Sequence, residues 1–554
     1  MIVSELKLYD FRRFKSVEGK PGLYVSFHKG LNALVGENDS GKTAVIDAIK
    51  MVLLTQSNEY IRVTEEDFYN ENGISVSEFK IDLVISDFEP NEAKNFVEYL
   101  VFGKNKSGIV CYFLPLHFRA WKENNRIYTE LRAGEMQDGV ILDGKARELL
   151  KCVYLRPLRD AEREMSSGRN SRISQILFNH PVFKENAENR LKEIMTNANG
   201  EIERYFNEED GERILTGIRG ALTEFHERDS SSVANLKTSD IQLKSILESL
   251  SLSVSEIHPG LGELNLLFIA AELLLLHHDD NGGLRLALIE ELEAHLHPQA
   301  QLRLIQYLQR EYQNTGVQII ISTHSTVLSS KINLKNLIML KNGHGFDLAD
   351  GKTGLEKGDY LFLQRFLDST KANLFFAKGV IMVEGDAENL LVPVIAEIIG
   401  YPLERHGVSI VNVGSTAFLR YSRIFIRKDG ESMGLPVAVI TDCDIEAEYN
   451  EQDEFESRKD EMAAAVVEKE GRYTEDTVKA FISPQWTLEY CVAQSCLRDD
   501  FHKAVHYGKK IKNSNKYALT DEKIADADKD VFDESNLWKD LSCEERAYKI
   551  YNLM

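Results

Sequence analysis

Long apolar runs are missing from this sequence. The densest, Leu264–His277, carries Glu272 and falls short of the roughly 18 to 20 residues a membrane-spanning helix needs, so no membrane association is expected. Cysteine is sparse: the six residues Cys111, Cys152, Cys443, Cys491, Cys496 and Cys543 form no CxxC pair. Neither a disulfide framework nor zinc is indicated by that spacing. Positive charge is short as well, with 66 Lys and Arg against 88 Asp and Glu and a net charge of −22. That counts against nucleic-acid binding as a property of the whole surface, but does not exclude a local basic groove or a site where carboxylates hold metal ions. The opening, MIVSELKLYDF, mixes acids with apolar residues and lacks the shape of a signal peptide; a cytoplasmic protein is expected.

What is present is an ordinary globular composition, 43% apolar and 28% charged over 554 residues, enough for two to four domains. Short strands are predicted at Leu23–Phe27 and Leu31–Val35. Directly after the second comes Gly36-Glu37-Asn38-Asp39-Ser40-Gly41-Lys42-Thr43, then a helix over Thr43–Leu54. In this pattern the glycines let backbone N–H groups crowd phosphate oxygens, Lys42 reaches the outer phosphates and Thr43 offers its hydroxyl to Mg²⁺. Gly36, Asn38, Asp39, Ser40, Gly41, Lys42 and Thr43 are therefore expected to bind ATP. Strands are predicted at 79–86, 107–114 and Val153–Leu155. Between about 160 and 250 the texture turns to Glu, Arg, Asn and Leu, which reads as a helical insertion.

Strand–helix alternation resumes with a strand at 284–289, a helix at 297–312 and a strand at 317–321. The first strand ends in Glu290-Glu291 and the last runs into Ser322-Thr323-His324. A carboxylate at the tip of a buried strand can hold Mg²⁺ while its neighbour orients the attacking water. A lone histidine after a strand is usually an ordinary loop residue; the order and spacing of the three elements give His324 a catalytic reading. The set resembles ABC-type ATPase heads of the branch that includes SMC and RecF proteins. That resemblance implies Glu291 as the catalytic glutamate, Glu290 as the metal-binding acid and His324 as the switch histidine. His258-Pro259-Gly260-Leu261-Gly262-Glu263 stands where the family has its signature loop, without the usual serine. Gln56 and Asp67 are candidates for its Q-loop, Asp67 the preferred one. Such heads work as dimers.

A second α/β unit follows, with strands at 379–383, 408–412, 436–441 and 479–482 and a helix at 386–399. Its strand ends carry Glu384-Gly385 with Glu388 beyond, Gly414-Ser415, and Asp442-Cys443-Asp444. Aspartates two apart on a strand point to one side. With Glu384 they would place three acids at the carboxyl edge of a parallel sheet, where open α/β sheets bind ligands. Hard oxygen donors clustered this way suit Mg²⁺ or Mn²⁺, although an isolated DxD is usually a solvated turn. The ordered set resembles the Toprim domain of topoisomerases, primases and related nucleases, with Glu384, Asp442 and Asp444 at the matching positions.

An ABC head followed by Toprim is the layout of the OLD (overcoming lysogenisation defect) nucleases. Tyr154-Leu155-Arg156-Pro157-Leu158-Arg159-Asp160 and Trp486-Thr487-Leu488-Glu489 are further matches. The resemblance implies a second metal site completed by Glu388 and Glu489, and a late lysine for which Lys549 and Lys512 are candidates. The expected fold is thus α/β: an ABC/SMC-like head with a helical insertion, then a Toprim domain with a parallel sheet. The expected domains are a head in two parts (1–160 and 251–345) around an insertion at 161–250, a linker at 346–375, Toprim at 376–500 and a helical extension at 501–554. The implied function is an ATP-regulated, metal-dependent DNA endonuclease, homo-oligomeric through its heads, of a kind found in bacterial antiphage defence, some members with a helicase and some with a retron reverse transcriptase and its DNA. The alternative is a DNA-binding sensor ATPase with an inert Toprim; primase or topoisomerase lacks a catalytic-tyrosine context and a zinc or polymerising module. Two basic clusters could meet phosphates: Arg156, Arg159, Arg163, Arg169 and Arg172, and Lys503, Lys509, Lys510, Lys512 and Lys516. Such runs are more often solvated faces.

Overall fold

The computed structural model describes the chain apart from residues 57–60, 105–109, 125, 157–166, 169–170, 180–186, 209–210, 226–241, 252–260, 278–281, 295, 451–453 and 513–517. Two compact units emerge, one made of Met1–Leu34 and Gly41–Thr323, the other of Val35–Ser40 and His324–Met554.

In the first unit, β1 (Ile2–Tyr9), β2 (Leu23–Ser26) and β3 (Leu31–Val35) precede helix α1 (Lys42–Leu53). Then come β4 (Glu78–Ser86), β5 (Val110–Glu123), β6 (Arg126–Ala133), β7 (Val140–Ile141) and β8 (Val153–Leu155). Strands β7, β6, β5, β4, β1 and β2 pair antiparallel in that spatial order. Side chains of β4 alternate strictly between buried and half-buried, as a sheet with one wet face requires. The predicted strand at 107–114 is longer than the sequence suggested, because Pro115 does not end it: Pro115 sits opposite Val84 inside the β4–β5 ladder and the pairing continues to Trp121.

The insertion is helical where described, including α2 (Ala187–Glu208) and α3 (Glu212–Phe225). It leads into α4 (Leu261–His277), β9 (Leu286–Ile289), α5 (Pro298–Thr315) and β10 (Gln318–Ser322). Strands β3, β10, β9 and β8 pair parallel in that order. Every residue of β3, β9 and β10 is buried, the signature of parallel strands covered on both faces. Their shared direction puts Glu290, Ser322 and the start of the phosphate-binding segment at the same end of the strands.

The second unit contains a hairpin of β11 (Leu337–Lys341) and β12 (His344–Asp347). It also contains β13 (Gly379–Val383), α6 (Asp386–Ile398), β14 (Val408–Asn412), β15 (Val437–Thr441), α7 (Lys459–Tyr473) and β16 (Val478–Ile482). The four strands form an all-parallel sheet in the order β14, β13, β15, β16. Helix α8 (Leu488–Gln494) follows, and from Arg498 on the described polar region is helical: α9 (Arg498–Lys512), α10 (Asp521–Leu537) and α11 (Cys543–Tyr551). Trp486 anchors α8 and α11, its ring centroid 4.2 Å from that of Tyr551. Among the described residues no helix is long and apolar enough to cross a membrane.

Candidate functional site

The phosphate-binding segment needs glycine at two points. Gly41 has φ 105°, and a Cβ there would lie 2.3 Å from the Phe14 ring. Gly36 has φ 143°, and its Cβ would meet the Leu340 carbonyl oxygen at 2.6 Å. Asp39, with φ 61°, completes the turn in left-handed backbone, which Asp tolerates better than most residues. Asn38 and Asp39 are exposed, and Lys42, the first residue of α1, is buried at 4% exposure. A Gly41→Ala substitution is expected to cost about 2–4 kcal/mol of stability from φ strain and the Phe14 clash; urea unfolding of the full chain measures it, and a loss below 1 kcal/mol would mean the loop yields easily.

Glu290, at the tip of β9, is 4% exposed. It accepts a hydrogen bond of 2.7 Å from the Tyr154 hydroxyl and another from Thr43. Burial, with the charge of Asp47 adding to it, holds its carboxyl above the usual range, while the Tyr154 and Thr43 hydroxyls oppose the shift. A buried carboxylate bonded to the Thr43 hydroxyl fits Mg²⁺ of a nucleotide. Glu291 turns outward in left-handed backbone at φ 43°, is exposed, and its N–H donates to Ser322 Oγ at 3.4 Å. His324 is exposed, two residues past β10, and opens the second unit.

Asp67, the preferred Q-loop candidate, is held in a hydrogen-bond network. It is 3% exposed, accepts from Arg12 Nε at 3.0 Å and caps its own turn through the Thr64 N–H at 2.8 Å. Its carboxylate is committed to a structural network that Arg12 extends to Asp47 of α1. The first three residues of the signature-like segment, 258–260, lie outside the described residues, as do Arg159, Arg163, Arg169 and Lys516.

In the second unit, Glu384 and Asp442 follow β13 and β15, which are neighbours in the sheet. Thr441 Oγ1 donates to Glu384 Oε2 at 2.7 Å, so the two acids stand side by side. Asp442 Oδ1 accepts from Ser483 Oγ at 3.0 Å and from the Leu488 N–H at 2.8 Å. Even so its carboxyl is pushed up to about 6, first by burial and then by the charges of Glu489 and Glu388. Glu388 is 6% exposed and caps α6 through the Gly385 N–H at 3.1 Å. Glu384, Glu388, Asp442 and Glu489 are thus gathered at the carboxyl ends of the two central strands. Carboxylates crowded without a cation repel one another, and a divalent ion with oxygen preference relieves that repulsion.

Asp444 departs from the sequence expectation. Strand β15 stops at Thr441, so the period-two argument ends there, and Asp444 lies in left-handed backbone at φ 60°. Its carboxylate pairs with Lys469 of α7, whose ammonium also donates to the Asp442 carbonyl oxygen at 2.8 Å. Sequence reading missed Lys469, which stands between Glu468 and Glu470 and reads locally as a solvated helix face. Of the candidates it did name, Lys549 lies over the Tyr449 ring at 5.1 Å and Lys512 ends α9. Lys510 is spent on Asp530 at 2.8 Å.

A family model described as "AAA ATPase domain" matches residues 1–258 and 183–328. A second, "Overcoming lysogenization defect protein-like, TOPRIM domain", matches residues 375–444. The chain belongs to the AAA ATPase domain family and carries an OLD-like Toprim domain. This ATPase–Toprim chain is 24% identical over 347 residues to "Endonuclease GajA" of Bacillus cereus (strain HuB5-5), covering 56% of this chain and 49% of the relative. A second Endonuclease GajA, from Bacillus cereus (strain VD045), is 20% identical over 474 residues, 82% of this chain and 77% of the relative. "Retron Ec83 probable ATPase" of Escherichia coli is 31% identical over 273 residues, 48% of this chain and 45% of the relative. The ATPase–Toprim chain therefore aligns with about half the length of the first and third of these relatives.

Proposed function

We propose that the chain is an ATP-regulated, divalent-metal-dependent DNA endonuclease of the OLD type. The observation that carries this reading is the gathering of Glu384, Glu388, Asp442 and Glu489 at the carboxyl edge of a parallel sheet, with Asp442 pushed up to about 6 by burial and by its acidic neighbours. Glu384, Asp442 and Asp444 would hold one ion, and Glu388 and Glu489 would help hold a second. Bound Mg²⁺ or Mn²⁺ supplies charge for the attacking and leaving oxygens of a phosphodiester. The protein's own part is to hold the carboxylates still: Thr441 fixes Glu384, while Ser483 and the start of α8 fix Asp442. Lys469 keeps a positive charge beside the acids.

In the other unit Lys42, Thr43 and Glu290 would hold ATP and its Mg²⁺, with Glu291 acting on the γ-phosphate; His324, at the start of the second unit, is the remaining candidate for this reaction, which controls cleavage. Homo-oligomerisation through the ATPase heads and a role in bacterial antiphage defence accompany the reading, supported by the GajA and retron names among the relatives. A helicase or a retron reverse transcriptase with its DNA is the corresponding partner class.

Supercoiled plasmid incubated with the full chain and Mg²⁺ or Mn²⁺ tests the proposal. Nicked and linear products that vanish with chelator are expected; ATP turnover with intact plasmid under every divalent ion would favour the sensor-ATPase alternative. Lys469 gives a finer check. Because its ammonium repels an incoming cation at close range, Lys469→Met is expected to tighten Mn²⁺ binding by roughly threefold to tenfold in calorimetric titration, given partial solvent screening. Weaker binding would show that Lys469 serves chiefly to hold Asp444 in place.

A further inference from the structure

Two histidines on α9, His502 and His506, are spaced four apart, as are Asp530 and Glu534 on α10. That spacing stacks side chains on one helix face. The helices run antiparallel, since Lys510 pairs with Asp526 and Asp530 while His502 pairs with Glu534. The paired faces therefore bring two imidazoles and two carboxylates together, the arrangement from which helical bundles build metal sites.

The local geometry is convergent. His502 and His506 are 3% and 5% exposed. The Nε2 atoms of both lie 2.8 Å from the same oxygen, Oε2 of Glu534. All three potential donor atoms fall within 4.8 Å of one another, whereas ligands of a tetrahedral zinc are separated by about 3.3 Å. Small side-chain rotations close that difference. His502 is held by stacking on Trp538, with centroids 5.2 Å apart at 24°. Asp530 Oδ2 stands 3.9 Å from His506 Nδ1, on the far side of the ring from Glu534. Asp530 itself pairs with Lys510, and metal binding would displace the ring protons that face Glu534 Oε2, freeing the two Nε2 lone pairs.

We propose that His502, His506 and Glu534 form a zinc site, with water at the fourth position, that ties α9 to α10. Imidazole donors select a borderline ion such as Zn²⁺, while the all-oxygen acids near Asp442 suit Mg²⁺ or Mn²⁺. Cysteine spacing gave no sign of zinc because no cysteine takes part.

Co²⁺ titration of the full chain tests the site through visible absorption. Nitrogen-bound four-coordinate Co²⁺ absorbs strongly in the visible, and six-coordinate Co²⁺ at oxygen sites only weakly, so the acids near Asp442 do not interfere. The wild-type chain is expected to develop strong bands saturating at one ion per chain and to lose them to one equivalent of Zn²⁺. His502→Ala and His506→Ala should remove the bands. Glu534→Gln, which keeps the side-chain shape, should weaken Zn²⁺ binding by more than about tenfold and abolish the rise in Tm that Zn²⁺ gives the wild type. Absence of strong bands in the wild type, undiminished bands in both histidine variants, or an equal Zn²⁺-dependent rise in Tm for Glu534→Gln would each overturn the proposal.

Discussion

Lys42→Ala is expected to weaken ATP binding by up to about a hundredfold and to leave DNA cleavage indifferent to ATP. Lys42 begins α1, where the helix dipole favours phosphate, and its side chain is buried. A hydrogen bond from a charged donor contributes about 1.5–3 kcal/mol, which is roughly tenfold to a hundredfold in affinity. Titration with a fluorescent ATP analogue measures the first effect. Plasmid cleavage in Mn²⁺ with and without ATP measures the second. An unchanged affinity would remove Gly36–Thr43 from the nucleotide site; a variant that still answered to ATP would break the link between nucleotide and nuclease.

The second large effect concerns Asp442. Asp442→Ala is expected to lower the cleavage rate by at least about a thousandfold, or some 4 kcal/mol of transition-state stabilisation. Both protein donors to Asp442 engage Oδ1, leaving Oδ2 unused by either. The substitution should not unfold the domain. A buried carboxyl pushed up by Glu489 and Glu388 is a strained group, and its removal relieves repulsion while forfeiting two hydrogen bonds. The expected pattern is lost cleavage with a Tm within a few degrees of wild type. Lost cleavage together with a collapsed Tm would make Asp442 a folding residue instead.

What could be read from sequence was what is local along the chain. The phosphate-binding segment, Glu290 after β9 and Glu384 after β13 are contiguous motifs at strand tips, and a parallel sheet brings such tips to one edge. The continuation of β5 through Pro115 was hidden because a proline inside a strand usually marks its end; only pairing with β4 keeps it in register. The period-two argument for Asp442 and Asp444 fails for the complementary reason, since both lie beyond the strand, which ends at Thr441. Lys469 depends on a helix meeting the loop after β15, and the His502, His506 and Glu534 cluster on two helices meeting. Their neighbours in sequence, acids and lysines on polar faces, give no hint of it. Asp67 was chosen by position alone, and its partner Arg12 lies 55 residues earlier.

The central claim is that the acids at the edge of the second sheet perform the chemistry while the phosphate-binding segment controls it. The most direct test is the nicking rate of supercoiled plasmid in Mn²⁺ for Glu384→Gln beside wild type, with ATP affinity recorded on the same preparations. The expected result is loss of nicking with ATP affinity unchanged to within about twofold. Nicking at the wild-type rate by Glu384→Gln would contradict the account and place the chemistry elsewhere in the chain.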